Sequence, residues 1–229
     1  MGKDIKIINS NRHLTWQMAV NYVLENKFAN VNLGNEQMAA VSSIAGYTQE
    51  QFEKLQEIYE YSKRRVKSSI PHIEERTDDY TYETLRLDDP LGLAIGTLTD
   101  CCQEIDDAAE VCMEHSMTSS DGRIFVVKDK ENNIVAQSWV WRNQNVLCFD
   151  NIEIPHKAFE RASQKKINLT QVVYDIYKQA ANILLEKDKE MYKSLLEKGK
   201  ITKEEYEALK RIGNITEDKV IKKSIGKLI

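Results

Sequence analysis

Arg123-Ile-Phe-Val-Val-Lys128, Ile134-Val-Ala-Gln-Ser-Trp-Val-Trp-Arg142 and Val146-Leu-Cys-Phe-Asp-Asn-Ile-Glu-Ile154 follow one another with only short polar breaks. The β-branched and aromatic residues predict three consecutive antiparallel strands. The second and third runs are apolar on both alternating faces, which is the pattern of a sheet covered on each side. They nonetheless carry Gln137, Ser138, Asp150, Asn151 and Glu153, and polar groups placed there need a partner or a function. Strict alternation in the second run sets Val135, Gln137, Trp139 and Trp141 on one face and Ile134, Ala136, Ser138 and Val140 on the other. In the third run it sets Val146, Cys148, Asp150, Ile152 and Ile154 together, opposite Leu147, Phe149, Asn151 and Glu153.

Outward from this block the chain reads as helical. Thr15 and Asn35 open apolar periodic stretches, and Gly46 stops the second. Thr48-Gln-Glu-Gln51 has the form of a capping box, and Phe52, Leu55, Ile58, Tyr59 and Val66 make one helical stripe running to about Lys67. Tyr80 to Leu87 reads as a strand and Asp88-Asp89-Pro90 ends it. Pro155 to Lys166 reads as an irregular loop. A long helix from Asn168 or Thr170 to Lys198 follows, with the stripe Leu169, Val172, Val173, Ile176, Tyr177, Ala180 and Leu184. Gly199 ends it, Thr202-Lys-Glu-Glu205 opens a short helix that Gly213 closes, and residues 219–229 read as a last strand. The expected fold is α+β: a helical N-terminal region over 1–70, then a mostly antiparallel sheet flanked by helices over 71–229.

Composition narrows the function classes. The 229 residues are 41% hydrophobic and 30% charged, with a net charge of -4. That acidic balance argues against a protein that coats nucleic acid. The helices joined by Gly46-Tyr47-Thr48 have the outline of a helix-turn-helix, a DNA-binding module. Glu50, Glu53, Glu57 and Glu60 would repel phosphate, however, and a plain helical hairpin suits them better. No apolar run is long enough to cross a bilayer and no signal peptide is evident, so the expected place is the cytoplasm, without a membrane partner.

Two groups of residues carry possible chemistry. Cys101, Cys102, Cys112 and His115 supply the thiolate and imidazole ligands that zinc prefers. On an unbroken helix, Cys101 and Cys112 would stand about 16 Å apart along the axis, too far to share an ion. Cys101, Ile105, Ala108, Cys112 and His115 then form one buried stripe, and that reading is preferred to zinc. A reactive thiol at Cys101 or Cys102 is a further alternative. On the strands, Trp139 and Trp141 with Gln137 make a possible substrate wall. Asp150 or Glu153, a carboxylate in an apolar row, is a candidate general base.

The hairpin turn Asp129-Lys-Glu-Asn-Asn133, the ending Asp150-Asn-Ile-Glu-Ile154, the loop and the long helix together resemble the central part of a GNAT-type N-acyltransferase domain. The resemblance covers residues 79–198. It implies that Glu153 or Asp150 takes a proton from an amine, small molecule or protein, and that acetyl-coenzyme A or another acyl-coenzyme A is the cofactor. It also implies that the backbone of Asn151, Ile152 and Ile154 holds the pantetheine arm. The family's phosphate loop carries glycines. Residues 156–168 have none, which leaves Arg161, Lys165 and Lys166 as the side chains for phosphate. Thr99-Asp-Cys-Cys-Gln103, Ala136-Gln-Ser-Trp-Val-Trp141 and Phe149-Asp-Asn-Ile-Glu153 are also similar to uncharacterised proteins of phages and mobile elements in Gram-positive bacteria. The alternative on the same scaffold is a non-catalytic binding protein.

Overall fold

The computed structural model describes residues 48–63, 68–87, 89, 91–143 and 146–213. The helices expected before Gly46 and the strand expected over 219–229 lie outside them. In chain order the elements are α1 (Gln49–Lys63), β1 (Glu74–Arg76), β2 (Tyr80–Thr84), α2 (Leu91–Thr99), α3 (Glu110–Thr118), β3 (Gly122–Asp129), β4 (Ile134–Asn143), β5 (Val146–Phe149), α4 (His156–Gln164), α5 (Leu169–Glu197) and α6 (Lys203–Gly213). The strands form one five-stranded sheet in the order β1-β2-β3-β4-β5, every pair antiparallel. The chain is therefore α+β, as its pattern predicts.

Helices cover both faces of the sheet, and strand alternation decides which side chain meets which layer. Ile124 and Val126 point to the layer of α1, α2 and α3, where they join Leu55, Ile58, Leu91, Ile95, Met113 and Met117. Phe125 and Val127 point the other way, to Ala158 and Ala162 of α4 and to Val173, Ile176, Tyr177 and Ala180 of α5. Because Leu55, Ile58 and Tyr59 of α1 lie inside the first layer, residues 48–63 share the core of the sheet. Glu50, Glu53, Glu57 and Glu60 stay exposed on the outer side of α1.

The helix termini follow the local chemistry of the sequence. Thr48 Oγ1 accepts from the Gln51 amide while Gln51 Oε1 accepts from the Thr48 amide, the reciprocal pattern of a capping box. Thr202 and Glu205 repeat it at α6. Asn168 caps α5 through Gln171, and Gly199 ends it at φ +62, a conformation glycine adopts without steric cost.

Several expectations are corrected. Residues 155–166 are not an irregular loop, since α4 occupies His156–Gln164. Its buried side chains are only Ala158 and Ala162, too small to make an apolar stripe visible. The helix through the cysteines is broken: α2 ends at Thr99, α3 begins at Glu110, and Asp100 and Asp106 between them have φ of 54 and 64. That turn segment folds back onto α2 at Gly96, where an added Cβ would sit 2.2 Å from the Glu104 nitrogen. The Asp106 and Glu110 carboxylates both pair with Lys54 of α1, which secures its outer side.

Candidate functional site

Two irregularities in strand pairing build the site. Between β3 and β4 the register runs Val127↔Ala136 and then Lys128↔Ile134, leaving Val135 as an extra residue on β4. Such a bulge reverses the facing of whatever precedes it. Ile134 accordingly joins the α1–α3 layer and Val135 the α4–α5 layer, the opposite of strict alternation. Gln137 and Trp139 keep the α2–α3 side, and Ala136, Ser138 and Val140 the other.

The second irregularity follows β5. Val140 pairs with Phe149, and an isolated bridge then joins Gln137 to Glu153. Ser138 and Trp139 thus stand opposite three residues, Asp150, Asn151 and Ile152. The extra residue turns Ile152 to the same layer as Phe149, where it is 6% exposed, and brings Asp150 and Glu153 to one face with Gln137. Strict alternation had separated these two acids. The bulge is pinned by Asp150 N–H to Trp139 O at 2.8 Å and by Ser138 Oγ to Asn151 O at 3.0 Å. Tyr177 of α5 meets Ser138 Oγ at 3.0 Å. Since the Ser138 hydrogen goes to Asn151, Tyr177 is the donor in that contact, and burial holds its hydroxyl protonated by pushing its pKa far up.

On the opposite side of β4, the segment between α2 and α3 delivers Cys101 to Gln137. Gln137 Nε2 donates to Cys101 Sγ at 3.5 Å, Thr99 Oγ1, whose hydrogen goes to Ile95 O at 2.7 Å, lies 3.3 Å from the sulfur, and the Gln103 backbone amide also reaches it. Burial nevertheless raises the thiol pKa above its ordinary value, and the Glu153 charge adds to the rise. Glu153, half-buried, has its carboxyl pKa raised first by burial and then by the Asp150 charge. Burial and then Asp150 push the Cys112 thiol up as well. Gln137 is fully buried, yet its Oε1 has no hydrogen-bond partner among the described residues, and neither does that of buried Gln103.

The aromatic wall lies further along β4. Trp139 and Trp141 rings are 5.8 Å apart and tilted by 33°. Trp139 Nε1 donates to His115 Nδ1 at 3.2 Å, and His115 Nε2 faces Asp121 at 3.5 Å. His115 is thereby turned to Trp139, away from the role of a shared ligand. Among the described residues no three or more His, Cys, Asp or Glu side chains are grouped to hold a metal ion.

The basic residues expected near phosphate sit elsewhere. Arg161 lies 3.6 Å from Asp129 and Lys165 3.9 Å from Glu131, both over the β3–β4 turn. They line a cavity of about 150 Å³ with Asp79, Tyr80 and Leu169. At 1.5 Å per residue, Lys165 is about 13 Å along α4 from His156. Lys166 is exposed just past the helix. Asn151, Ile152 and Ile154 remain beside the acids, at the strand end that leads into α4.

Thr99 and Gln103 are site residues whose role the sequence did not disclose. The only signal was the density of acids around them, Asp100, Glu104, Asp106 and Asp107, which suits a turn better than a helix interior.

No family model matches the chain, and no curated protein and no solved structure is similar to it. Among the described residues no helix is long and apolar enough to cross a membrane.

Proposed function

We propose that this is an acyl-coenzyme A-dependent N-acyltransferase-like protein, of phage or mobile-element type, that passes an acyl group to an amine. The observation that supports it is the strand irregularity that gathers Asp150, Glu153 and Gln137 on one face. A half-buried carboxyl with a raised pKa is a better match for a proton on an amine than a solvated one. The element order agrees with the resemblance in the three strands β3, β4 and β5 and the long helix α5, while α4 stands where the resemblance places a loop. On this reading Glu153 takes the amine proton with Asp150 beside it. The backbone of Asn151, Ile152 and Ile154 lies along the pantetheine arm, and Trp139 and Trp141 wall the acceptor.

The test is thermal unfolding with and without acetyl-coenzyme A. A ligand at 100 times its Kd stabilises the folded state by about 2.7 kcal/mol, or about 5–10 °C for a chain of this size. The expected result is such a rise in Tm. No rise at millimolar coenzyme overturns the reading.

A second reading, a non-catalytic binding protein, has its own support in the ion pairs of Arg161 and Lys165 with Asp129 and Glu131. Side chains held there leave the start of α4 without a cationic clamp from these residues. Under that reading the coenzyme leaves Tm unchanged while the sheet serves as scaffold.

A further inference from the structure

Cys101 is placed with more structure than an inert core thiol requires. The clasp of the 100–109 segment on Gly96 fixes its backbone, with Cys101 N–H donating to Gly96 O at 3.1 Å. Its sulfur then meets Gln137, which is 0% exposed and stands directly opposite Glu153 in the strand register. The two ends of a carboxamide are interchangeable in their assignment. In the orientation shown, Nε2 meets the sulfur and Oε1 has no protein partner among the described residues. A fully buried polar atom without a partner costs about 1–3 kcal/mol, so this one calls for a ligand group. Oriented with Oε1 to the thiol, Gln137 offers Nε2–H groups where negative charge would develop on a carbonyl oxygen attacked by Cys101.

We propose that Cys101 is an acyl-accepting nucleophile that takes the acyl group of an acyl thioester onto Sγ, with Glu153 receiving and returning the proton. This rests on the acyl-coenzyme A reading and adds a covalent stage to it. The Glu153 carboxylate accepts the thiol hydrogen as Sγ attacks the carbonyl carbon, and Gln137 steadies the oxyanion. A carbon–sulfur bond forms to Cys101 while the carbon–sulfur bond to the carrier breaks, and the proton on Glu153 passes to the leaving thiolate. The amine then attacks the Cys101 thioester, giving the amide and the free thiol. No oxidant or reductant is consumed.

The experiment is intact-mass analysis of the full chain after incubation with acetyl-coenzyme A and acid quench, with Tm measured on the same samples. The expected result is one acetyl group per chain, removed by neutral hydroxylamine and mapped to Cys101. It should be absent in Cys101→Ser, retained in Cys102→Ser, and formed roughly a hundredfold more slowly in Glu153→Gln. A single cooperative unfolding transition without coenzyme, at a Tm no lower than that of the parent, shows that each variant folds. Coenzyme that raises Tm while Cys101 stays unmodified overturns the covalent stage and leaves the acyltransferase reading standing. Neither Tm rise nor adduct overturns both, and an adduct that survives Cys101→Ser overturns the assignment to Cys101.

Discussion

Glu153 offers a readout that needs no substrate. Burial and the Asp150 charge hold its carboxyl above the usual carboxylate range in the folded chain, so the folded state binds that proton more tightly than the unfolded state. The resulting stability is fully present below the ordinary carboxylate pKa and is lost as pH rises through the raised one. At neutral pH the charged side chain opposes folding, and Glu153→Gln is expected to raise Tm there. The gap between the two Tm curves should close as pH falls towards about 4. Parallel curves would show that Glu153 titrates as an ordinary surface acid. The candidate acids were legible in the sequence because Asp150 and Glu153 interrupt an apolar run. Their shared face was not, because it depends on an extra residue in a pairing to β4 that no glycine announces. Cys101 and Gln137 were both visible as residues, but their meeting depends on a turn that brings together positions 36 apart.

At the scale of elements, α5 is tied to β4 by more than its apolar stripe. Arg142 Nη2 donates to both Asp188 oxygens, at 2.7 and 3.0 Å, and to Ser69 O at 2.9 Å. The two side chains of the pair are 7% and 8% exposed. Burial raises the Asp188 pKa against the pull of Arg142, so the pair specifies how α5 docks more than it stabilises. Removing one partner strands the other charge. Asp188→Ala is expected to cost about 3–5 kcal/mol in urea unfolding, and the double replacement Arg142→Met with Asp188→Leu to recover most of it. Equal losses in the single and double variants would refute this account. The stripe of α5 and the capping boxes of α1 and α6 were readable because they are local and periodic. Three other elements were not: α2 is apolar on all sides and shows no period, α4 buries only alanines, and β1 is Glu-Glu-Arg.

For the whole molecule, β3 belongs to two cores at once. Ile124 and Val126 serve one layer, Phe125 and Val127 the other, all at 1% exposure or less. Damage to either layer should therefore unfold both in one transition. Phe125, with rings of Tyr177 at 4.8 Å and Phe149 at 5.3 Å, is expected to cost about 3–5 kcal/mol when replaced by Ala. Far-UV and near-UV circular dichroism should shift together. Val111, 66% exposed, should lose no more than about 0.5 kcal/mol on the same change. Two separate transitions in Phe125→Ala would show that the layers fold independently.

The irregular pairing after Phe149 has a bearing on self-association. β5 is the last strand of the sheet among the described residues, and a straight, apolar margin invites another chain to add a strand. Here the margin bends away and turns two acids to one side, features that discourage such addition. Deleting Asn151 to restore regular pairing would leave a flatter rim, and the variant should then form β-rich aggregates at concentrations where the parent stays dispersed.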